Sequence, residues 1–130
     1  MESMDNSLFT SAEFKTLRTL LGYSITEISR YLDTGPATAR DWDRGRYNPP
    51  PGVGEEMRDL ADHTDEIVAR LVRHYETHPR DWPICTPRRS WDIATAFPGV
   101  ELPHYVSLDW CRIVVARVAR EIPGLGVDWF

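Results

Sequence analysis

The sequence predicts a mainly α protein, with four to five short helices over residues 8–78 and a small α+β segment over 79–130. Three observations carry this reading. Helix-start signals of S/T-x-x-E form stand at Thr10–Glu13 and Ser24–Glu27. Apolar residues recur at three- and four-residue spacing from Phe14 to Tyr75. Proline-bounded extended stretches suited to edge strands appear only after Pro79.

The tail Met1 to Ser7 is polar and acidic and is expected to be disordered. Thr10 caps a first helix that runs to Leu21, with Phe14, Leu17 and Leu21 on one face and Gly22 as its stop. Ser24 caps a second helix to Leu32, with Ile25, Ile28 and Leu32 apolar and the small Ser29 at the stripe's edge. Asp33 is a residue type that tolerates the left-handed backbone of a tight turn. Thr34 or Gly35 caps a third helix, and Pro36 suits its first position, where the missing N–H would have no partner. In that helix Ala39 and Trp42 lie three apart and face inward together, Arg40 and Arg44 point outward, and Gly45 ends it.

Asn48 to Pro51 holds three consecutive prolines and reads as a stiff extended connector. A fourth helix begins at Val53, with Val53, Met57 and Leu60 inward. Asp62-His63-Thr64-Asp65 either interrupts it or caps a new helix bearing Ile67, Val68, Leu71, Val72 and Tyr75. Trp82 to Thr86 reads as a short strand, and Pro103 to Val106 as a possible second one. Ser90 to Phe97 is a short helix, and Pro98-Gly99 a turn. Ser107 caps a last helix to Ile122, which carries Trp110, Ile113, Val114 and Val118. The apolar tail ending in Trp129-Phe130 either folds back into the core or joins a subunit interface.

Composition narrows the function classes. At 130 residues the chain holds one domain or two small ones. No apolar run approaches the ~20 residues of a membrane helix, so no membrane association is expected. No signal peptide is visible, and two scattered cysteines do not make a disulfide framework, so a reducing cytoplasm is expected. No phosphate-binding glycine loop, G-x-S-x-G or H-E-x-x-H occurs. Cys111 sits in an apolar stripe, where it acts as a small hydrophobe. An enzyme is not expected, nor is a cofactor. His74 and His78 have a metal-compatible spacing but lack a third ligand, so no metal is expected.

Two short helices joined by about four residues make a helix-turn-helix. Across Thr10 to Asn48 the chain resembles the Cro/C1-type (XRE, lambda-repressor-like) DNA-binding domain. Ser24, Glu27, Ile28, Ser29, Leu32, the Trp42-Asp43 pair, Gly45 and the basic residues after it carry the resemblance, with no gap between Ser24 and Gly45. The resemblance implies base contacts at Pro36, Ala37, Arg40 and Asp41, and phosphate contacts at Ser24, Thr38, Arg44, Arg46 and Asn48. It also implies a structural pair of Arg18 with Asp43, beside the buried Trp42. Ile25 departs from the polar residue usual at its position. Pro36 and Ala37 have no hydrogen bond to offer a base edge, which leaves Arg40 as the reader, most simply of a guanine.

The layout of the second half resembles small regulators with a C-terminal dimerisation domain, including anti-CRISPR-associated repressors. About 50 residues are few for an independent core. The second half is therefore expected to finish its core against the first domain or a second subunit, with Trp110, Ile113, Val114, Val118, Trp129 and Phe130 as the expected dimer interface. Together these readings imply a repressor that binds double-stranded DNA as a homodimer on an inverted repeat. The net charge of −5 is unusual for such a protein, but local field decides binding. A protein-interaction module, such as an antitoxin with a protein partner, is the alternative. Arg88-Arg89 either touches phosphate or is simply solvated.

Overall fold

The computed structural model describes residues 8–130, so the disordered tail expected over 1–7 lies outside the described residues. The order is α1 (Ser11–Leu21), α2 (Ile25–Tyr31), α3 (Pro36–Arg44), α4 (Pro51–Glu76), β1 (Ile84–Thr86), a 3-10 turn (Ser90–Asp92), α5 (Ile93–Ala96), α6 (Leu108–Glu121) and β2 (Val127–Trp129). The fold is mainly α with a small two-stranded sheet, as expected.

Local signals start and stop the first three helices. The Thr10 hydroxyl accepts from the Glu13 amide at 3.1 Å, and the Glu13 carboxylate accepts from the Thr10 amide at 2.9 Å. Ser24 and Glu27 repeat this reciprocal cap at 3.2 and 2.8 Å. Gly22 and Gly45 close α1 and α3 at φ 79° and 85°, where a side chain would be strained. Asp33 takes φ 55° in the turn between α2 and α3 and is the one non-glycine residue with positive φ among the described residues.

The proline stretch differs from expectation. α4 begins at Pro51 itself, and the Val53 amide already donates to the Pro50 carbonyl at 3.0 Å. Proline at a helix start loses only an N–H that has no helical partner, so it costs little there. Three residues on, Gly54 is buried against Phe9, and a Cβ at position 54 would meet Phe9 Cβ at 2.7 Å. Gly54→Ala is expected to destabilise the first unit, since overpacking of about 1–3 kcal/mol exceeds the ~1 kcal/mol gained in helix propensity. Gly52, in the same helix, has nothing within 4 Å of its would-be Cβ. Gly52→Ala is expected to stabilise by about 0.4–1 kcal/mol, and urea unfolding of both variants should show opposite signs.

By its internal contacts the chain divides at Asp62/His63, whereas the expected boundary at 78/79 kept all of α4 with the first unit. The expected interruption at Asp62 to Asp65 does not occur. No glycine or proline lies between Glu55 and Glu76, and three of the four polar residues from Asp62 to Asp65 are taken up in place. His63 Nε2 donates to the Glu101 carbonyl at 2.8 Å, Asp65 accepts from Arg117 at 2.9 Å, and Thr64 Oγ1 accepts from the Trp110 indole at 3.0 Å.

The Trp110–Thr64 bond is the polar centre of the second unit. Both residues are fully buried, and Phe97 meets Trp110 edge to face at 6.4 Å. Ser107 caps α6 by accepting from the Trp110 amide at 2.9 Å. Thr64→Val keeps the shape but leaves the indole N–H buried without this acceptor, at a cost of about 1–3 kcal/mol. A lowered urea midpoint for Thr64→Val, with Thr64→Ser close to wild type, is the expected outcome.

β1 forms as expected, but its partner is not Pro103 to Val106, which stays irregular. β1 pairs in parallel with β2, placing Ile84 opposite Val127 and Thr86 opposite Trp129. A parallel pair needs a long crossover, and the stretch from Pro87 to Gly126 supplies it. The tail thus returns to the fold through its backbone.

The expected dimer interface is corrected by the same packing. Trp110, Val114 and Val118 are fully buried within one chain, with no surface left for a second copy, because the second unit builds its own core around α6. Ile113 is half-buried, and only Trp129 and Phe130 of that set are exposed.

Candidate functional site

The surface of interest is the outward face of α3 with the turns on either side of it. Ala39 and Trp42 face inward, as their spacing requires, and are 0% and 7% exposed. Phe14 of α1 meets the Trp42 ring edge to face at 5.6 Å. The Ser11 hydroxyl donates to the Trp42 carbonyl at 2.6 Å, and the Ser11 amide donates to Asn48 Oδ1 at 3.0 Å. The last turn of α3 and the loop after it are therefore bound to the start of α1.

Asp43 adds a charged tie. Arg18 Nε donates to Asp43 Oδ1 at 2.9 Å, and Arg18 Nη1 donates to the Tyr23 carbonyl at 2.8 Å. Lys15, one turn earlier on α1, reaches Asp43 Oδ2 at 3.3 Å. The Arg18–Asp43 pair stands as the sequence resemblance implied. Lys15 and Ser11 were not anticipated. Their signal was present, since Ser11, Lys15 and Arg18 recur on one face of a helix at i, i+4 and i+7.

With these ties in place, Pro36, Ala37, Thr38, Arg40 and Arg44 are all exposed on α3, and Asp41 is half-exposed. Ser24, Arg46 and Asn48 are exposed at the flanks. The Arg46 guanidinium lies over the Tyr47 ring at 5.6 Å. Two expected phosphate contacts also have structural work: Ser24 Oγ accepts the Glu27 amide, and Asn48 Oδ1 accepts the Ser11 amide. Each keeps a donor, the Ser24 hydroxyl hydrogen and the Asn48 NH2. Ile25, the non-polar departure, is half-buried.

The local charge differs from the chain's total of −5. Three arginines and two aspartates stand between residues 40 and 46. Asp43 is turned onto Arg18 and Lys15, which leaves the three arginines against Asp41 alone.

The chain matches no protein-family model, and no curated protein matches it significantly.

Chemically, the α3 face offers donors and positive charge on a rigid, convex helix. The other reactive residues are placed differently. Burial pushes the Cys111 thiol up to about 12, and at neutral pH it stays protonated and inert. His78 Nδ1 donates to the His74 carbonyl at 2.7 Å, and the two rings lie 4.0 Å apart centre to centre. Among the described residues no three His, Cys, Asp or Glu side chains converge as metal ligands. Arg88 lies over Trp129 at 4.9 Å and Arg89 over Trp91 at 5.5 Å, so the basic pair is stacked on exposed indoles.

Proposed function

We propose that this protein is a sequence-specific DNA-binding transcriptional regulator, acting as a repressor, that binds an inverted-repeat operator as a homodimer. In this reading α2, the turn from Leu32 to Gly35 and α3 form a Cro/C1-type helix-turn-helix. α3 lies in the major groove and α2 crosses the backbone. The observation that carries it is the anchoring of α3: Trp42 and Asp43 are held from α1, while Arg40 projects from the opposite face. Arg40 reads base edges, and Pro36 and Ala37 touch a thymine methyl. Arg44 and Arg46, with Ser24, Thr38 and Asn48, meet phosphate and set the register.

A gel-shift assay on random duplex at low salt is expected to show weak binding that vanishes as salt rises. Selection from a random pool is expected to converge on an inverted repeat, with a dimer in sedimentation.

A second reading, an antitoxin-like protein-interaction module, is favoured by one specific observation. Trp82, Trp91, Trp129 and Phe130 are all exposed on the second unit, and aromatic residues are enriched at protein interfaces. Complete absence of a shift on any duplex would favour this reading over the first.

A further inference from the structure

We propose that a cavity in the second unit binds a small monocarboxylate with an apolar body, about the size of benzoate. This inference is independent of the DNA-binding reading. The cavity has a volume of about 220 Å3 and lies between the C-terminal part of α4, β1 and residues 96–100. Leu71, Ile84 and Phe97 supply its apolar wall, and all three are buried. Arg70, His74 and Tyr75 supply the polar groups, all from α4. No aspartate or glutamate lines it, in a chain with net charge −5.

Arg70 is the telling residue. Its side chain has no hydrogen bond, ion pair or ring contact with any other described residue. Acids are near: the adjoining depression shares Arg70 and contains Glu66 and Glu101, yet neither pairs with it. The His74 ring, by contrast, is held between Tyr75 at 4.9 Å and His78 at 4.0 Å. An unpaired guanidinium at the edge of an apolar cavity matches a carboxylate, which it can take through two parallel hydrogen bonds. The three buried apolar side chains favour a ligand that also removes hydrocarbon from water. The size excludes large ligands, because pockets for drug-sized molecules run to roughly 300–1,000 Å3.

Calorimetric titration of the full chain with benzoate, benzamide and inorganic phosphate tests the proposal. Benzoate is expected to bind saturably at millimolar concentration or below. Benzamide lacks the charge and phosphate lacks the apolar body, so each should bind weaker by about tenfold or more. Arg70→Gln changes an exposed residue, so it should keep the wild-type unfolding midpoint yet lose about tenfold in benzoate affinity. Arg73→Gln, whose residue does not line this cavity, should bind benzoate as wild type does. The proposal is overturned if benzoate gives no saturable heat, if benzamide or phosphate binds as well, or if Arg70→Gln retains full affinity.

Discussion

Trp42→Ala is expected to unfold the first unit. The indole is 7% exposed, packs edge to face on Phe14 and is the one large inward side chain of α3. Aromatic-to-alanine changes in cores cost about 3–5 kcal/mol, from lost burial and from the cavity left behind. Small domains have a total stability of about 5–15 kcal/mol, and a unit this short sits at the low end. α3 is also poorly able to survive alone. It has nine residues and no side-chain cap at Gly35. Isolated helices shorter than about 12–15 residues are marginal in water. Circular dichroism and urea unfolding should show lost helix and a lost or strongly lowered first transition. Trp42→Phe should retain part of both, because a smaller ring still reaches Phe14. An unchanged midpoint for Trp42→Ala would mean that packing at this site contributes little.

The second large effect is expected at Arg40, measured on DNA and not on stability. Arg40 is exposed and forms no bond with any other described residue, so Arg40→Ala should leave the unfolding midpoint unchanged. Under the proposed function it contacts one guanine per half-site, at roughly 1–3 kcal/mol each. A dimer carries two copies, so binding to the selected operator should weaken by about 2–6 kcal/mol by the same principle. Binding to random duplex should change far less, because Arg44 and Arg46 still meet phosphate. Arg44→Ala should show the opposite pattern: equal weakening on both DNAs and a flatter dependence on salt. The operator should have half-sites one helical turn apart, about 34 Å, so that two recognition helices enter successive major grooves. Equal losses on operator and random DNA for Arg40→Ala would place this arginine on the backbone instead.

Much of the first unit was legible in the sequence because its determinants are local. A capping box links residues three apart, a C-terminal glycine acts on the turn before it, and Pro36 announces a helix start. The inward pair Ala39 and Trp42 follows from helical spacing alone. The outward position of Arg40 follows from the same spacing, while the other candidate contacts came only from the family resemblance. The bond from Ser11 to Asn48 was not, since it joins residues 37 apart and has no local signature.

The second unit divides along the same line. Its helix starts, at Ser107 for example, were determined by sequence alone, because a cap is satisfied within one turn. Tertiary structure decided three things. It made α4 one helix through Asp62 to Asp65, where three of the four polar residues find a partner elsewhere: Thr64 on Trp110, Asp65 on Arg117, His63 on Glu101. It chose β2 as the partner of β1, because strand pairing depends on which segments the intervening helices bring alongside. And it consumed Trp110, Val114 and Val118 in the chain's own core while leaving Trp129 and Phe130 outside. Hydrophobicity states that a side chain gains by leaving water, but it is non-directional, so which surface covers it is settled only when distant segments pack.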